Sequence, residues 1–166
     1  MEPVLPSAGP GRLMREPSAR DAQSLLAVQM LQRAYGDAVT RRAWDEVAAL
    51  FEAGARVHID TRTRPVRELE APDELVAFIA SSLESFPFFE FTILNAVASV
   101  DGDEATGRVY ICEQRCTAEG EWTQAYGLYQ DEYRRRDRDW RFRRRHYHSL
   151  ARTGPPVEVF PLPPLV

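Results

Sequence analysis

Four stretches in the second half of the chain decide the fold. They read FFEFTILNAVASV (88–100), EATGRVYICEQRCT (104–117), WTQAYGLYQDEYRRR (122–136) and WRFRRRHYHSL (140–150). Apolar and polar residues alternate in each, and a period of two predicts β-strands with one buried face. The links between them are short and contain Asp-Gly-Asp, Ala-Glu-Gly and Asp-Arg-Asp. Links of this kind join neighbouring strands directly, so the segment is predicted to form an antiparallel meander.

Upstream of these strands the apolar residues recur at helical spacing. Three helices are predicted over residues 21–36, 40–54 and 72–87, with a short strand pair, 55–61 and 65–69, between the second and the third. Helices gathered on one face of an antiparallel sheet define an α+β fold. We therefore expect three N-terminal helices packed in the concave face of a strongly curved, mostly antiparallel sheet.

The prolines predict the domain boundaries. Nine of the 12 prolines lie in the first 17 or the last 12 of the 166 residues. We expect a flexible N-terminal arm (1–20), one domain (21–152) and a proline-rich C-terminal tail (153–166). The tail either hangs free, folds back over a groove or a second subunit, or presents its Pro-x-x-Pro motif to a partner.

Several classes of protein are excluded by composition. A hydrophobic fraction of 44% argues against a disordered chain. No apolar run is long enough to cross a membrane, and the N-terminus lacks the apolar core of a secretory signal. The only cysteines, Cys112 and Cys116, are too far apart on one straight strand for a disulfide, which fits a reducing compartment. A cytoplasmic protein without a membrane partner is predicted.

All 21 basic residues are arginine, so Schiff-base chemistry on lysine is excluded. Nine of the arginines lie in residues 134–152, against two acidic residues. The interleaved acids favour a solvated, ion-paired hairpin, and a nucleic-acid partner is not expected. Arg144 is a candidate for a buried ion pair with Asp131 across that hairpin.

Two segments carry a resemblance to a known family. Trp44-Asp45 through Leu50-Phe51 is similar to a Trp-Asp-x-x-x-x-Leu-Phe segment, and 127–131 with 139–145 is similar to Gly-x-Tyr-x-Asp followed by Gly-Trp-Arg-Phe-x-x-Arg. Together they resemble the SnoaL-like branch of the nuclear-transport-factor-2-like superfamily over residues 21–152. The resemblance implies a cone-shaped α+β barrel with an apolar cavity, commonly dimeric.

The same resemblance implies a range of activities. Members include dehydratases, ketosteroid-type isomerases, polyketide cyclases and binders without a known reaction, so the fold alone does not define the function. Dehydratase-like members carry an active-site Asp just before the basic pair that precedes the helix-two Trp. Thr40 stands there in this sequence, and its hydroxyl is no general base at neutral pH.

Histidines are the first candidates for acid–base chemistry. His146 and His148 share the parity of Trp140 and Phe142, so both are predicted to point into the cone if no bulge intervenes. We expect His146 to act in catalysis and His148 to contact the substrate. A zinc site at this pair lacks a third ligand, and neither a metal nor a cofactor is expected.

His58 and Asp60 form a second candidate pair. They lie side by side on the strand 55–61, where an Asp could orient an imidazole. Their face is opposite to the apolar Val57 and Ile59, so a solvated pair at a sheet edge is the alternative.

The remaining candidates would bind substrate or shift its protons. Asp131 and Glu113 are the carboxylates expected within the cavity, and Asp131 is assigned an acid–base role. Asn95 shares an otherwise apolar parity, so it is expected to bind a substrate oxygen or to satisfy a neighbouring element. The candidate phenol donors to a substrate carbonyl are Tyr35, Tyr110, Tyr126 and Tyr129.

These features predict a cofactor-independent lyase, isomerase or cyclase that acts on a small apolar or polycyclic carbonyl compound. The alternative is a non-catalytic ligand-binding or dimerisation module of the same fold. In both cases the expected partners are a small apolar molecule in the cone and a second copy of the chain.

Overall fold

The computed structural model describes residues 16–154 and 156–165. These residues form three helices, α1 (Ala19–Thr40), α2 (Trp44–Ala49) and α3 (Asp73–Leu83). The strands are β1 (Phe51–Asp60), β2 (Arg67–Ala71), β3 (Phe88–Asp101), β4 (Glu104–Cys116), β5 (Trp122–Arg136), β6 (Asp139–Arg152) and β7 (Glu158–Val159). None of the helices in the described part of the chain is long and apolar enough to span a membrane.

The strands form one curved, unclosed sheet with the order β2-β1-β6-β5-β4-β3. The pair β1–β6 is parallel, and every other pairing is antiparallel. The long meander β3–β6 is therefore confirmed, and so is the α+β class. Helix α1 lies in the concave face and packs mainly against β3. The buried residues of α1, β1 and the inner faces of β3–β6 form one core.

Helix α1 is longer than predicted. Gly36 was expected to end it, but the helix continues to Thr40 with Gly36 buried inside it. A Cβ at Gly36 would lie 2.9 Å from Cδ1 of Phe91, so this glycine permits the close approach of helix and strand. Thr40 does not cap α2, which begins at Trp44 without a side-chain cap. Its Oγ1 instead accepts a hydrogen bond from the Phe91 N–H at 3.0 Å.

The second helix is shorter than predicted, because β1 already begins at Phe51. Gly54 lies within β1 at a φ of +76°, between the two pairing registers of that strand with β6. The short partner strand is β2, two residues later than expected. Pro72 immediately precedes α3, as its helix-start signal indicates.

The C-terminal tail folds back onto the convex face of the sheet. Strand β7 pairs with the end of β6, and the Phe160 N–H donates to the Leu150 carbonyl at 2.8 Å. Further along, Gln130 Nε2 donates to the Pro164 carbonyl at 3.1 Å. Pro163 is buried, and Leu128 on the same convex face is fully buried. The described part of the tail therefore packs on the outside of the cone.

Candidate functional site

A cavity of about 360 Å³ lies between the concave face of the sheet and helices α1 and α3. Its volume is at the low end of the range of about 300–1,000 Å³ that is usual for small-molecule sites. Most of the wall is apolar and consists of Val39, Val57, Ile59, Leu75, Phe78, Ile79, Phe86, Phe89 and Phe91. The polar wall gathers one carboxylate, three phenols and four guanidinium groups, a combination suited to an apolar ligand with a polar end.

Glu113 is the carboxylate of the cavity wall. It lies on the inner face of β4, between Phe91 of β3 and Ala125 of β5. Its Oε2 accepts a hydrogen bond from Arg115 Nη2 at 2.9 Å, and its side chain is 21% exposed. Burial raises the pKa of Glu113 above its ordinary value, and the nearby charges of Arg115 and Arg152 only partly offset this effect. A carboxyl group in this condition can take up and release a proton at a higher pH than in water.

Three tyrosines, Tyr35, Tyr129 and Tyr147, line the cavity. Burial raises the pKa of each phenol, and the charge of Glu113 adds to the increase in all three. The hydroxyls therefore stay protonated at physiological pH and remain hydrogen-bond donors. Donors held in a low-dielectric site stabilise an oxygen that gains negative charge.

The position of Tyr147 depends on a glycine in the neighbouring strand. A Cβ built on Gly127 would lie 2.3 Å from Cε2 of Tyr147 and 3.1 Å from its hydroxyl oxygen. The ring therefore lies directly over the backbone of Gly127. This contact explains why only glycine fits at the start of the Gly-x-Tyr-x-Asp segment.

Arg145 and Asp131 form a buried ion pair beneath the cavity. Arg145 Nε and Nη2 donate to the two carboxylate oxygens of Asp131 at 2.8 and 2.9 Å, and the side chains are 3% and 0% exposed. The guanidinium carbon lies 4.2 Å from the ring centroid of Tyr35 and 4.0 Å from that of Tyr129. Tyr133 also donates its hydroxyl to Asp131 at 3.0 Å. Asp131 thus neutralises and orients Arg145. The predicted ion pair of Asp131 with Arg144 is wrong, because the neighbouring Arg145 takes that place.

A β-bulge in β6 explains this difference and moves two histidines out of the cone. Glu132 pairs with Arg144 but Tyr133 pairs with Phe142, so Arg143 is the extra residue. An extra residue reverses the side-chain alternation beyond it. Arg145 and Tyr147 consequently line the cavity. Arg152 has the opposite parity and joins them because Leu150 is the extra residue of a further bulge in β6. The predicted inward orientation of His146 and His148 is wrong.

His146 and His148 instead lie beside His58 on the convex face. The ring centroid of His58 is 5.1 Å from that of His146 and 5.9 Å from that of His148. His58 Nδ1 is 2.6 Å from Glu68 Oε1, and His148 Nδ1 is 3.7 Å from Asp60 Oδ2. Burial lowers the pKa of His146, with the charge of Arg144 adding to the decrease.

Burial also lowers the pKa of His148, which the neighbouring Asp60 partly offsets. His146 and His148 are therefore mainly neutral at neutral pH. None of the three histidines, nor Asp60, lines the cavity. Among the described residues no group of His, Cys, Asp and Glu is arranged to hold a metal ion.

A bulge in β3 displaces Asn95. Ile93 pairs with Ile111 but Asn95 pairs with Tyr110, so the alternation of β3 also reverses. Asn95 is exposed, and its predicted burial is wrong. Tyr110 alternates with the buried Val109 and Ile111 and faces outward.

Tyr126 also lies outside the cavity, and its hydroxyl donates to Gln124 Oε1 at 3.0 Å. Of the predicted substrate-binding residues, Tyr35 and Tyr129 are the two in the cavity wall. Sequence reasoning also named Glu113, but it missed Arg115, Arg152 and Tyr147.

An α+β cone with an apolar cavity and a polar inner wall defines a class of small-molecule-binding proteins. The model of the SnoaL-like domain matches residues 20–146, so the chain belongs to the SnoaL-like family. No curated protein matches the chain by sequence.

Solved structures share the fold at low sequence identity. A proposed scytalone dehydratase from Novosphingobium aromaticivorans aligns with a TM-score of 0.71 and 19% identity, over 80% of this chain and 87% of that chain. A hexachlorocyclohexane dehydrochlorinase, LinA-type3 from Novosphingobium barchaimii, aligns with a TM-score of 0.69 and 18% identity, over 86% and 97%. A protein of unknown function from Mycobacterium tuberculosis aligns with a TM-score of 0.70 and 21% identity, over 81% and 76%.

Proposed function

We propose that the protein is a cofactor-independent lyase or isomerase that moves a proton on a small apolar carbonyl compound bound in the cone cavity. One observation carries the proposal. Glu113 presents a carboxyl group with a raised pKa in an aromatic-lined cavity that also contains three protonated phenols. A titratable group beside fixed donors in a largely apolar pocket is the pattern of acid–base sites. The dehydratase and dehydrochlorinase that share the fold are consistent with lyase chemistry.

In the proposed reaction Glu113, as carboxylate, takes a proton from the carbon next to the substrate carbonyl. The electrons of the broken C–H bond form an enolate, whose oxygen receives a hydrogen bond from Tyr129 or Tyr147. The enolate then collapses in one of two ways. In a β,γ-unsaturated ketone the enolate is a conjugated dienolate, and Glu113 returns the proton to the γ-carbon, which moves the double bond and is an isomerisation. Where the β-carbon carries a leaving group, that group departs with its bonding electrons as the C=O bond is restored and takes the proton from Glu113, which is an elimination.

The cavity narrows the substrate class. A volume of about 360 Å³ favours a compound of one or two rings over the polycyclic substrates that the family resemblance also allows. The aromatic rings of Phe89 and Phe91 provide flat apolar surfaces for such a ring system.

The proposal is testable without the natural substrate. Exchange of α-protons for deuterium in small cyclic ketones such as 2-tetralone is followed by NMR in D₂O, with and without the protein. The wild-type protein should accelerate exchange above the buffer rate, and Glu113→Gln should reduce that acceleration by about 10²–10⁴-fold. Glu104→Gln is the matched control, since Glu104 lies in the β3–β4 hairpin and pairs with Arg143. Exchange at the buffer rate throughout the ketone panel, or wild-type exchange in Glu113→Gln, would contradict the proposal.

A second function, non-catalytic ligand binding in the same cavity, has its own supporting observation. Thr40 stands where the dehydratase-like members carry an active-site Asp, and its hydroxyl is occupied by the backbone of Phe91. Saturable binding of the ketones without proton exchange would favour this function.

A further inference from the structure

The wall of the cavity carries more positive than negative charge. Four arginines line it: Arg64, Arg115, Arg145 and Arg152. Two of them are neutralised within the described part of the chain, Arg145 by Asp131 and Arg115 by Glu113. Among the described residues, no carboxylate forms an ion pair with Arg64 or Arg152. An excess of cations in a mostly apolar pocket favours a ligand with a negative charge.

Arg152 is placed to meet such a ligand. It lies on β6 opposite Ala125 of β5, whose other neighbour is Glu113 of β4. The charge of Arg152 lowers the pKa of both Glu113 and Tyr147, so it is near both groups.

The hydrogen bonds of Arg152 leave most of its donors available. Within residues 16–154 and 156–165, Arg152 forms one hydrogen bond, from Nε to Ser149 Oγ, and its length of 3.5 Å makes it weak. Its Nη groups have no acceptor among the described residues. The free N–H groups of a planar guanidinium can bind both oxygens of a carboxylate at once.

The inner wall provides an independent observation. Arg145 is 2% exposed and lines the cavity, yet its Nη1 has no hydrogen-bond acceptor in the described protein. Nη1 is the nitrogen that does not contact Asp131. The buried Nε of Arg115 likewise has no acceptor. Both nitrogens are almost inaccessible, so these guanidinium groups act on a ligand through their charge and not by direct contact, and a ligand with a negative charge is favoured.

We propose that the ligand of this cavity is an apolar ring compound that carries a carboxylate, held by Arg152, with its ring against the phenylalanine wall. This proposal rests on the proposed function in that it uses the same cavity. It adds the chemical class of the ligand, which the acid–base role of Glu113 does not define. A carboxylate is favoured over a phosphate because its single charge and two oxygens cost less to remove from water into a largely apolar pocket.

The test compares an acid with its neutral isostere. Isothermal titration calorimetry measures the binding of 2-naphthoate and 2-naphthamide to the full-length protein. Naphthoate should bind about tenfold or more tightly than naphthamide, as expected for a charge-assisted hydrogen bond. The Arg152→Gln variant should remove this difference. Arg143→Gln should keep it, because Arg143 pairs with Glu104 outside the cavity.

A second variant of Arg152 tests the role of its guanidinium group. Arg152→Lys retains the charge without the fork and should show an intermediate preference. If Arg152→Gln does not fold, the Lys variant and the wild-type acid–amide comparison still decide the outcome. Equal binding of acid and amide, binding of neither, an unchanged preference in Arg152→Gln, or tighter binding of 2-naphthyl phosphate would each overturn the proposal.

The ketone exchange assay separates the two proposals. If the protein exchanges ketone protons through Glu113 but binds the acid and the amide equally, only the proposed ligand class is refuted. If the protein prefers the acid to the amide but does not accelerate proton exchange in the ketones, only the proposed acid–base reaction is refuted.

Discussion

The ion pair between Arg145 and Asp131 provides the sharpest stability test. Asn at position 131 keeps the shape of the carboxylate and an acceptor for Tyr133, but removes the charge that neutralises Arg145. The guanidinium would then remain buried among Tyr35, Tyr129 and Phe142 without a counter-charge. Breaking a buried pair in this way costs about 3–5 kcal/mol.

That cost is a large part of the stability of a domain, which is about 5–15 kcal/mol. Chemical unfolding in urea, followed by circular dichroism, measures it directly. With a slope of about 2 kcal/mol/M, the midpoint of Asp131→Asn should fall by about 1.5–2.5 M. The control is Glu104→Gln at the exposed pair with Arg143, whose side chains are 62% and 42% exposed. That change should cost about 0–1 kcal/mol.

A rescue variant separates lost charge from lost packing. Adding Arg145→Met to Asp131→Asn removes the buried charge and should recover most of the lost stability, because a buried pair can be replaced by apolar groups at little cost. The reasoning is refuted if Asp131→Asn is no more destabilising than the surface control, or if the double variant is less stable than Asp131→Asn.

Three further predictions follow from the same geometry. The raised pKa of Glu113 means that the folded state binds this proton more tightly than the unfolded chain. The stability of the wild-type protein, compared with that of Glu113→Gln, should therefore fall as the pH rises from about 4.5 through the folded pKa of Glu113. Thermal melts of both proteins between about pH 4 and 8 measure this difference, and a difference that does not change with pH would contradict the prediction. Gly127→Ala should displace Tyr147 from the cavity and cost about 1–3 kcal/mol in urea unfolding; a wild-type midpoint would count against that contact. Removal of residues 155–166 should expose Leu128 and cost up to about 3 kcal/mol, with faster hydrogen exchange in β5 and β6; unchanged exchange would show that the tail does not cover this face.

Much of the fold was predictable because it depends on local pattern. Period-two alternation and short polar links define β3–β6, and Pro72 marks the start of α3, within a few residues of the observed bounds. The family resemblance adds an apolar cavity to the curved sheet that the strand pattern predicts. The continuation of α1 through Gly36 was not predictable, because a glycine inside a helix and a glycine that ends a helix have the same local signal. Only the approach of Phe91 from a distant strand distinguishes them.

The site was predictable only where no bulge intervened. Tyr129 and Glu113 lie on regular stretches of β5 and β4, and their inward direction follows from alternation. His146, His148 and Asn95 lie beyond bulges in β6 and β3, and each was assigned to the wrong face. The run Arg143-Arg144-Arg145 gives no local sign of which residue is the extra one.

The sequence by itself thus determined the order of the elements, the meander and the absence of lysine chemistry, since these depend on composition and on neighbours along the chain. The tertiary structure alone decided which face each polar side chain occupies beyond the bulges, because register is set by pairing with distant strands. It also decided that the tail packs on the convex face. The same pairing brings Arg152, Ala125 and Glu113 into one row and so creates a charged wall from three separate strands.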